Sequence, residues 1–394
     1  MQLSTLALSI TNVIGKQYSP ASWFTQGEQG AWYDPSDLTT LFQNYAGTTP
    51  VTAVEQPVGL MLDKSQGLAL GPELITNGNF NDGTTDWSIN STYGSMSNVT
   101  GELQVTTTAV SDYYGGYQSF PTVSGRMYKI SVTCRLGTAS AGRLSFGSAA
   151  NVGNWDYINF LNTSNTTITH YVYAFGNTAY YSLTCNTGTA YFDNVTIKEL
   201  AGNHAFQATS GNRPTLSARV NLLLASDTLA TQSVTTQATT YKLYFTGSGS
   251  ITLSGTSTGT YSAGTNTITC TAGSLTLTVS GSVLTADLRP TNIGTALPSY
   301  QRVTTSTVYD TVGFPLYLKC NGTSSAMATN SINFTSTAAM TVVTGVRKLS
   351  DAAIGWISEL SAVSNYNPGS FAITTAGWAS AGAKYGASFN SNAG

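Results

Sequence analysis

The chain has 394 residues, a formal net charge of −2, 9% charged residues and 41% apolar residues. That apolar share supports buried cores and excludes wholesale disorder. The lack of any Lys/Arg cluster excludes a nucleic-acid partner, and no stretch approaches the roughly 18 to 20 apolar residues of a membrane-inserted span.

Thr, Val and Tyr in short runs broken by Gly, Asn and Ser are the material of strands and tight turns. The expected fold class is therefore all-β: several β-sandwich or jelly-roll modules, one short helix and an N-terminal docking arm. The arm covers residues 1–30, opening "MQLSTLALSITNVIG", apolar but without the basic start of a signal peptide. The helix is expected from Ser36 to about Tyr45. Ser36 would cap it, Asp37 would sit at its positive end, Leu38, Leu41 and Phe42 would share a face, and Gly47 would close it.

From about residue 72 the texture changes. "ELITNGNFNDGTTDWSI" opens a run that closes at "GTAYFDNVTIKEL", with short alternating segments such as "RMYKISVTCRL" between. About eight strands in this length make a two-sheet jelly roll over 68–200. Its first and last strands would be neighbours, the geometry of a module inserted into a host loop. Residues 221–300, Thr and Ser alternating with Leu, Ile and Val, read as a small antiparallel β-unit. Beyond 301, strands are expected near 341–349, 355–360 and 370–375.

The phrases Leu74-Ile75-Thr76-Asn77-Gly78-Asn79-Phe80 and Phe192-Asp193-Asn194-Val195 resemble the opening and closing motifs of galactose-binding-like carbohydrate-binding modules. The resemblance implies a structural calcium at Asn77, Asn79 and Asp193, although Asn79 stands where an acidic residue is common. No other cofactor is expected. Joining Gly67 to Gly202 turns "DKSQG" and "NHAFQATSGNRPTLSA" into one phrase. With Trp32-Tyr33-Asp34-Pro35-Ser36-Asp37 upstream, it resembles the concanavalin/laminin-G-like pattern. A lectin-like domain split into 31–67, 201–220 and 301–394 is thus expected around the insert. Its last part looks incomplete, so further chain or another subunit is expected to finish the sheet. The long phrases "GAWYDPSDLTTLFQNYAGTTPVTAVEQPVGLMLDKS" and "PSYQRVTTSTVYDTVGFPLYLKCNG", then "GVRKLSDAA", resemble tailed-bacteriophage virion structural proteins.

Convergent titratable groups are scarce. "GTSTG" at 255–259 matches a nucleophile pattern but lacks its strand–turn–helix setting. Asp34, Asp37 and Asp63 could supply a glycosidase pair, but a helix start and a turn anchor are the plainer roles. No catalytic residue is assigned. The four cysteines read as buried thiols, with pairing of Cys134 and Cys185 left open. Flat aromatic faces beside amides and hydroxyls suit sugars. The glycan-contact candidates are Tyr113, Tyr114, Tyr117, Trp155, Tyr157, Tyr180 and Tyr181, set against the plainer role of filling a sandwich core.

The expected function is a virion structural protein of tail-fibre or tail-appendage type, non-enzymatic and assembled in the bacterial host cytoplasm. It would dock on other virion proteins through its arm, form a homo-oligomer such as a trimer, and contact host surface polysaccharide. A capsid decoration protein or head fibre is the alternative. A depolymerase spike is the third, disfavoured by the lack of a β-helix repeat.

Overall fold

The computed structural model of the chain describes residues 20–24, 28–108, 113–291, 297–332, 341–347, 356–360, 371–374 and 386–389. Of the arm expected over 1–30, residues 1–19 and 25–27 lie outside these; Pro20–Phe24 forms a short 3-10 turn.

The helix expected from Ser36 is not formed. A single 3-10 turn, Leu38–Thr40, is capped by Asp37, whose carboxylate accepts from Thr39 N, while Ser36 N–H donates to Asp34 Oδ1 at 3.0 Å. Strand β1 (Leu41–Phe42) follows at once and pairs antiparallel with β2 (Leu60–Met61). The reason lies in where the side chains go. Leu41 packs with Val51, Val58, Met61, Leu216 and Leu318, whereas Phe42 packs with Leu60, Leu62, Met127, Tyr171 and Leu200. Successive residues that enter two different cores need the two-residue period of a strand.

Next come β3 (Gly94–Val99), β4 (Glu102–Thr107), β5 (Tyr114–Pro121), β6 (Met127–Leu136), β7 (Gly142–Gly147), β8 (Asp156–Phe160), β9 (Thr166–Tyr173), β10 (Thr178–Cys185) and β11 (Gly188–Leu200). They form two antiparallel sheets, ordered β5-β10-β7-β8 and β3-β4-β11-β6-β9. Alternate residues of β6, from Tyr128 to Leu136, meet Phe120, Leu144, Phe146, Tyr181 and Leu183 of the opposite sheet in one core. Cys134 and Cys185 lie in this core as free thiols, and burial pushes the Cys134 thiol up to about 12. Cys270 is also free and buried; Cys320 is free and exposed.

The chain enters and leaves this sandwich side by side. Gly71 N–H donates to Glu199 O at 2.9 Å, Leu74 N–H to Ile197 O at 3.0 Å, and Ala201 N–H to Ala69 O at 3.0 Å. Strand β12 (Ala205–Phe206) then joins β2, so the small sheet β1-β2-β12 is built from chain on both sides of the sandwich.

Asp63 ties that junction. Its Oδ1 accepts from Trp32 N at 2.7 Å and Ser65 N at 2.8 Å; its Oδ2 accepts from Ser65 Oγ and Asn203 N, both at 2.7 Å. Gly202 approaches with φ +126°, where a Cβ would lie 3.0 Å from Asp63 Oδ2, so the position needs glycine. His204 Nδ1 accepts from Asp63 N at 2.9 Å, which places its ring proton on Nε2, 3.3 Å from Leu200 O. Outside the knot, Lys64 Nζ sits 3.1 Å from Asp34 and 2.8 Å from Asp37.

Strand β13 (Thr215–Ser217) leads to β14 (Gln232–Thr236), β15 (Thr239–Gly255), β16 (Gly259–Cys270), β17 (Gly273–Ser280) and β18 (Leu284–Pro290), an antiparallel unit with its own core. β15 pairs with β18 over Tyr241–Tyr244 and with β17 over Ser250–Gly255, and its register breaks between Phe245 and Ser250. Strand β19 (Tyr317–Lys319) returns to β13. Strands β20 (Trp356–Leu360), β21 (Phe371–Thr374) and β22 (Gly386–Phe389) form a further antiparallel sheet. The strand expected at 341–349 does not form over 341–347, which carry no regular secondary structure; 348–349 lie outside the described residues.

Candidate functional site

The two-residue period of the strands sorts the candidate tyrosines. Along β10, Ala179, Tyr181, Leu183 and Cys185 enter the core, which leaves Tyr180, Ser182 and Thr184 on the outer face. Along β5, Phe120 enters the core, so Tyr117 and, just before the strand, Tyr113 lie on the outer side. Register then assembles one outer row across four strands: Tyr117, Ser182, Ser145, Tyr157. A neighbouring row runs Gly115, Thr184, Arg143, Asn159. Tyr157 is 51% exposed; Tyr113, Tyr117 and Tyr180 are half-buried. The Tyr117 and Tyr180 rings lie 6.2 Å apart.

Three of the seven candidates go elsewhere. Tyr181 is fully buried, its hydroxyl 3.2 Å from His170 Nε2, so it is a core residue and not a glycan contact. Tyr114 falls on the opposite phase from Tyr113 and Tyr117 and stacks on Tyr93 at 4.2 Å. Trp155 packs partly buried against Phe146 at 5.4 Å and Phe175 at 6.3 Å. Where the sequence reads Tyr-Tyr, one ring faces out and its neighbour faces in.

Arg143 stands at the middle of the outer face and was not among the residues singled out by composition. Its Nε donates to Asn159 Oδ1 at 2.9 Å. Its guanidinium carbon lies 3.9 Å from the Tyr113 ring centre and 4.4 Å from that of Tyr157, close enough for cation–π attraction. The loop 148–154 folds across the same face, with Asn151 N–H donating to Ser182 Oγ at 2.8 Å. The only sequence signal for Arg143 was its phase, two residues before Ser145 in an alternating strand.

Beside Tyr157, at the open edge between β8 and β9, lies a cavity of about 490 Å³ lined by residues that include Asn44, Tyr45, Asp156, Tyr157, Thr167 and Thr169. Asp156 is buried on its inner side and accepts from Tyr45 Oη at 2.8 Å. Burial raises the Asp156 carboxyl, against the lowering pull of the Tyr45 hydroxyl; burial first, then the nearby Asp156, raises Tyr45.

The side chains suggested for calcium are each engaged in local hydrogen bonds. Asn77 Nδ2 donates to Gly83 O at 3.1 Å and Thr85 O at 2.9 Å, and its Oδ1 accepts from Asp82 N at 3.2 Å. Asn79 Oδ1 accepts from Asn81 N at 3.2 Å. Both oxygens of Asp193 accept from Asn194, at 2.7 and 2.9 Å. These side chains organise their own turns. Among the described residues no group of three or more His, Cys, Asp or Glu gathers as a metal site.

Asp34 and Asp37 share Lys64, and Asp63 is buried under four donors, so the three carboxylates form no open pair. "GTSTG" is the turn between β15 and β16.

No protein family and no curated protein matches the chain. Among solved structures it is similar to one described as "CBM4 structure and function", at 18% identity over 32% of this chain and 99% of that one, with a TM-score of 0.26. It is also similar to the enzymatically active domain of tailspike protein 4 of bacteriophage CBA120, at 13% identity over 32% of this chain and 21% of that one, TM-score 0.26. A third is the N-terminal CBM22-1–CBM22-2 tandem domain of Paenibacillus barcinonensis Xyn10C, at 14% identity over 64% of this chain and 97% of that one, TM-score 0.27.

Proposed function

We propose that this chain is a virion structural protein of tail-fibre or tail-appendage type, and that the outer face of the β5-β10-β7-β8 sheet contacts host surface glycan without catalysis. The observation that carries the glycan reading is the placement of Tyr113, Tyr117, Tyr157 and Tyr180 on one sheet face, with the exposed amide of Asn159 among them. Ring faces pack on sugar C–H surfaces, and amides and hydroxyls exchange hydrogen bonds with sugar hydroxyls. One such face binds weakly, and many copies on a particle would add avidity. The virion reading rests on the long phrases at 30–65 and 298–322 and their resemblance to phage structural proteins.

Two experiments test it. Affinity electrophoresis of the whole chain in gels containing host surface polysaccharide should show retardation, and Tyr157→Ala should abolish most of it. Free migration of the unmodified chain through every host polysaccharide would sink the glycan reading. Immunogold labelling with an antibody to residues 72–200 should place gold at the tail and block adsorption. Gold spread over the capsid with adsorption unaffected would refute the tail assignment.

A further inference from the structure

Arg143 differs from Arg126, Arg135, Arg213, Arg219, Arg289 and Arg302 in how its charge is met. Arg126, Arg135, Arg289 and Arg302 each face a carboxylate. Arg213 and Arg219 direct their guanidinium groups to backbone carbonyl oxygens. Arg143 is half-buried on the tyrosine face, and Asn159 meets its Nε; among the described residues no acceptor meets Nη1 or Nη2. Tyr113 reaches it from the β5 side and Tyr157 from the β8 side, so aromatic rings lie against the guanidinium.

A half-buried cation that meets no carboxylate among the described residues loses hydration and gains only the modest attraction of ring quadrupoles. Nη1 and Nη2 form a planar fork, held in place by Asn159 and the rings, that matches the two oxygens of a carboxylate. This is the layout for a sugar ring that carries a carboxylate: the ring on tyrosine, the carboxylate on the fork.

We propose that the tyrosine face selects acidic glycans, those with uronic-acid residues, and that Arg143 is the carboxylate receptor. The inference rests on the glycan-contact reading above and narrows its ligand class. No bond is made or broken.

The test uses the whole chain in calorimetric titrations with four probes. These are an oligogalacturonate, its methyl ester, a neutral oligosaccharide of the same length and a sulfated one of matching charge. The oligogalacturonate should bind roughly tenfold or more tighter than its methyl ester, with the difference shrinking as salt rises. The sulfated probe, tetrahedral at its anion, should bind less tightly than the oligogalacturonate. Arg143→Gln should erase the preference for acid over ester. Arg143→Lys should recover only part of the preference, because a point charge replaces the fork. If acid and ester bind equally, or the sulfated probe binds as well as the acid, the inference falls. Should a variant fail to fold, the acid–ester comparison on the unmodified chain decides alone. If none of the four probes binds, the glycan-contact reading falls with it; binding of neutral glycans without acid preference overturns only the present inference.

Discussion

Replacing Asp63 by alanine removes the shared acceptor of four hydrogen bonds that reach it from three separate segments, at Trp32, Ser65 and Asn203. The Ser65 hydroxyl can rotate toward another partner, but the three backbone N–H groups cannot. Asp63 is fully buried, so each orphaned donor costs about 1–3 kcal/mol, reduced where water enters the space left by the carboxylate. The expected loss is roughly 3–5 kcal/mol. Asp63→Asn retains an oxygen for Trp32 and Ser65 but turns an amide N–H toward Asn203 N–H, and should lose about half as much. The chain has separate cores, so one global transition is not the right observable. Amide hydrogen exchange in the whole chain is the assay. The Asn203 and Trp32 amides should lose most of their protection in Asp63→Ala, while amides of β6 and β10 in the sandwich keep theirs. Retained protection at Asn203 would refute the view that this carboxylate holds the junction together.

The remaining predictions concern backbone, charge and pH. Gly202→Ala should cost about 2 kcal/mol or more, because φ is +126° and the new methyl meets Asp63 Oδ2; it should expose the same amides as Asp63→Ala. The pKa of His170, fully buried, is pushed down to about 3 by desolvation. The unfolded chain therefore binds the proton more readily, and stability present above about pH 6.5 is lost as the solution is acidified toward pH 3. At pH 4.5 the loss from this group is roughly 2–3 kcal/mol. Asp156, whose carboxyl is raised, contributes with the opposite sign, gaining stability as pH falls through its raised value. Denaturant midpoints from pH 7.5 to 4.5 should therefore fall less steeply in His170→Gln than in the unmodified chain. Asp287→Ala should destabilise the β14–β18 unit by about 3–5 kcal/mol, since it strands Arg289 in the interior; replacing both residues by apolar ones should recover most of that. Thermal unfolding of single and double variants measures the difference.

Composition and local pattern determined that the chain is all-β, because Thr-, Val- and Tyr-rich runs between Gly and Asn are compatible with few other structures. They also contained the signal at residues 63 and 203, two halves of a phrase that the fold brings within hydrogen-bond distance. Tertiary packing decided what local pattern left open. Leu38, Leu41 and Phe42 share a face in a helix as well as they divide in a strand; the two cores on either side of β1 selected the strand. A Tyr-Tyr pair states that one ring will be buried but not which one, and only the pairing of β5 with β10 set Tyr117 and Tyr180 outward and Tyr181 inward. Arg143 could not be found by composition at all. Its significance comes from Tyr113 and Tyr157, which lie distant in sequence on two other segments and reach it only once the sheet is assembled.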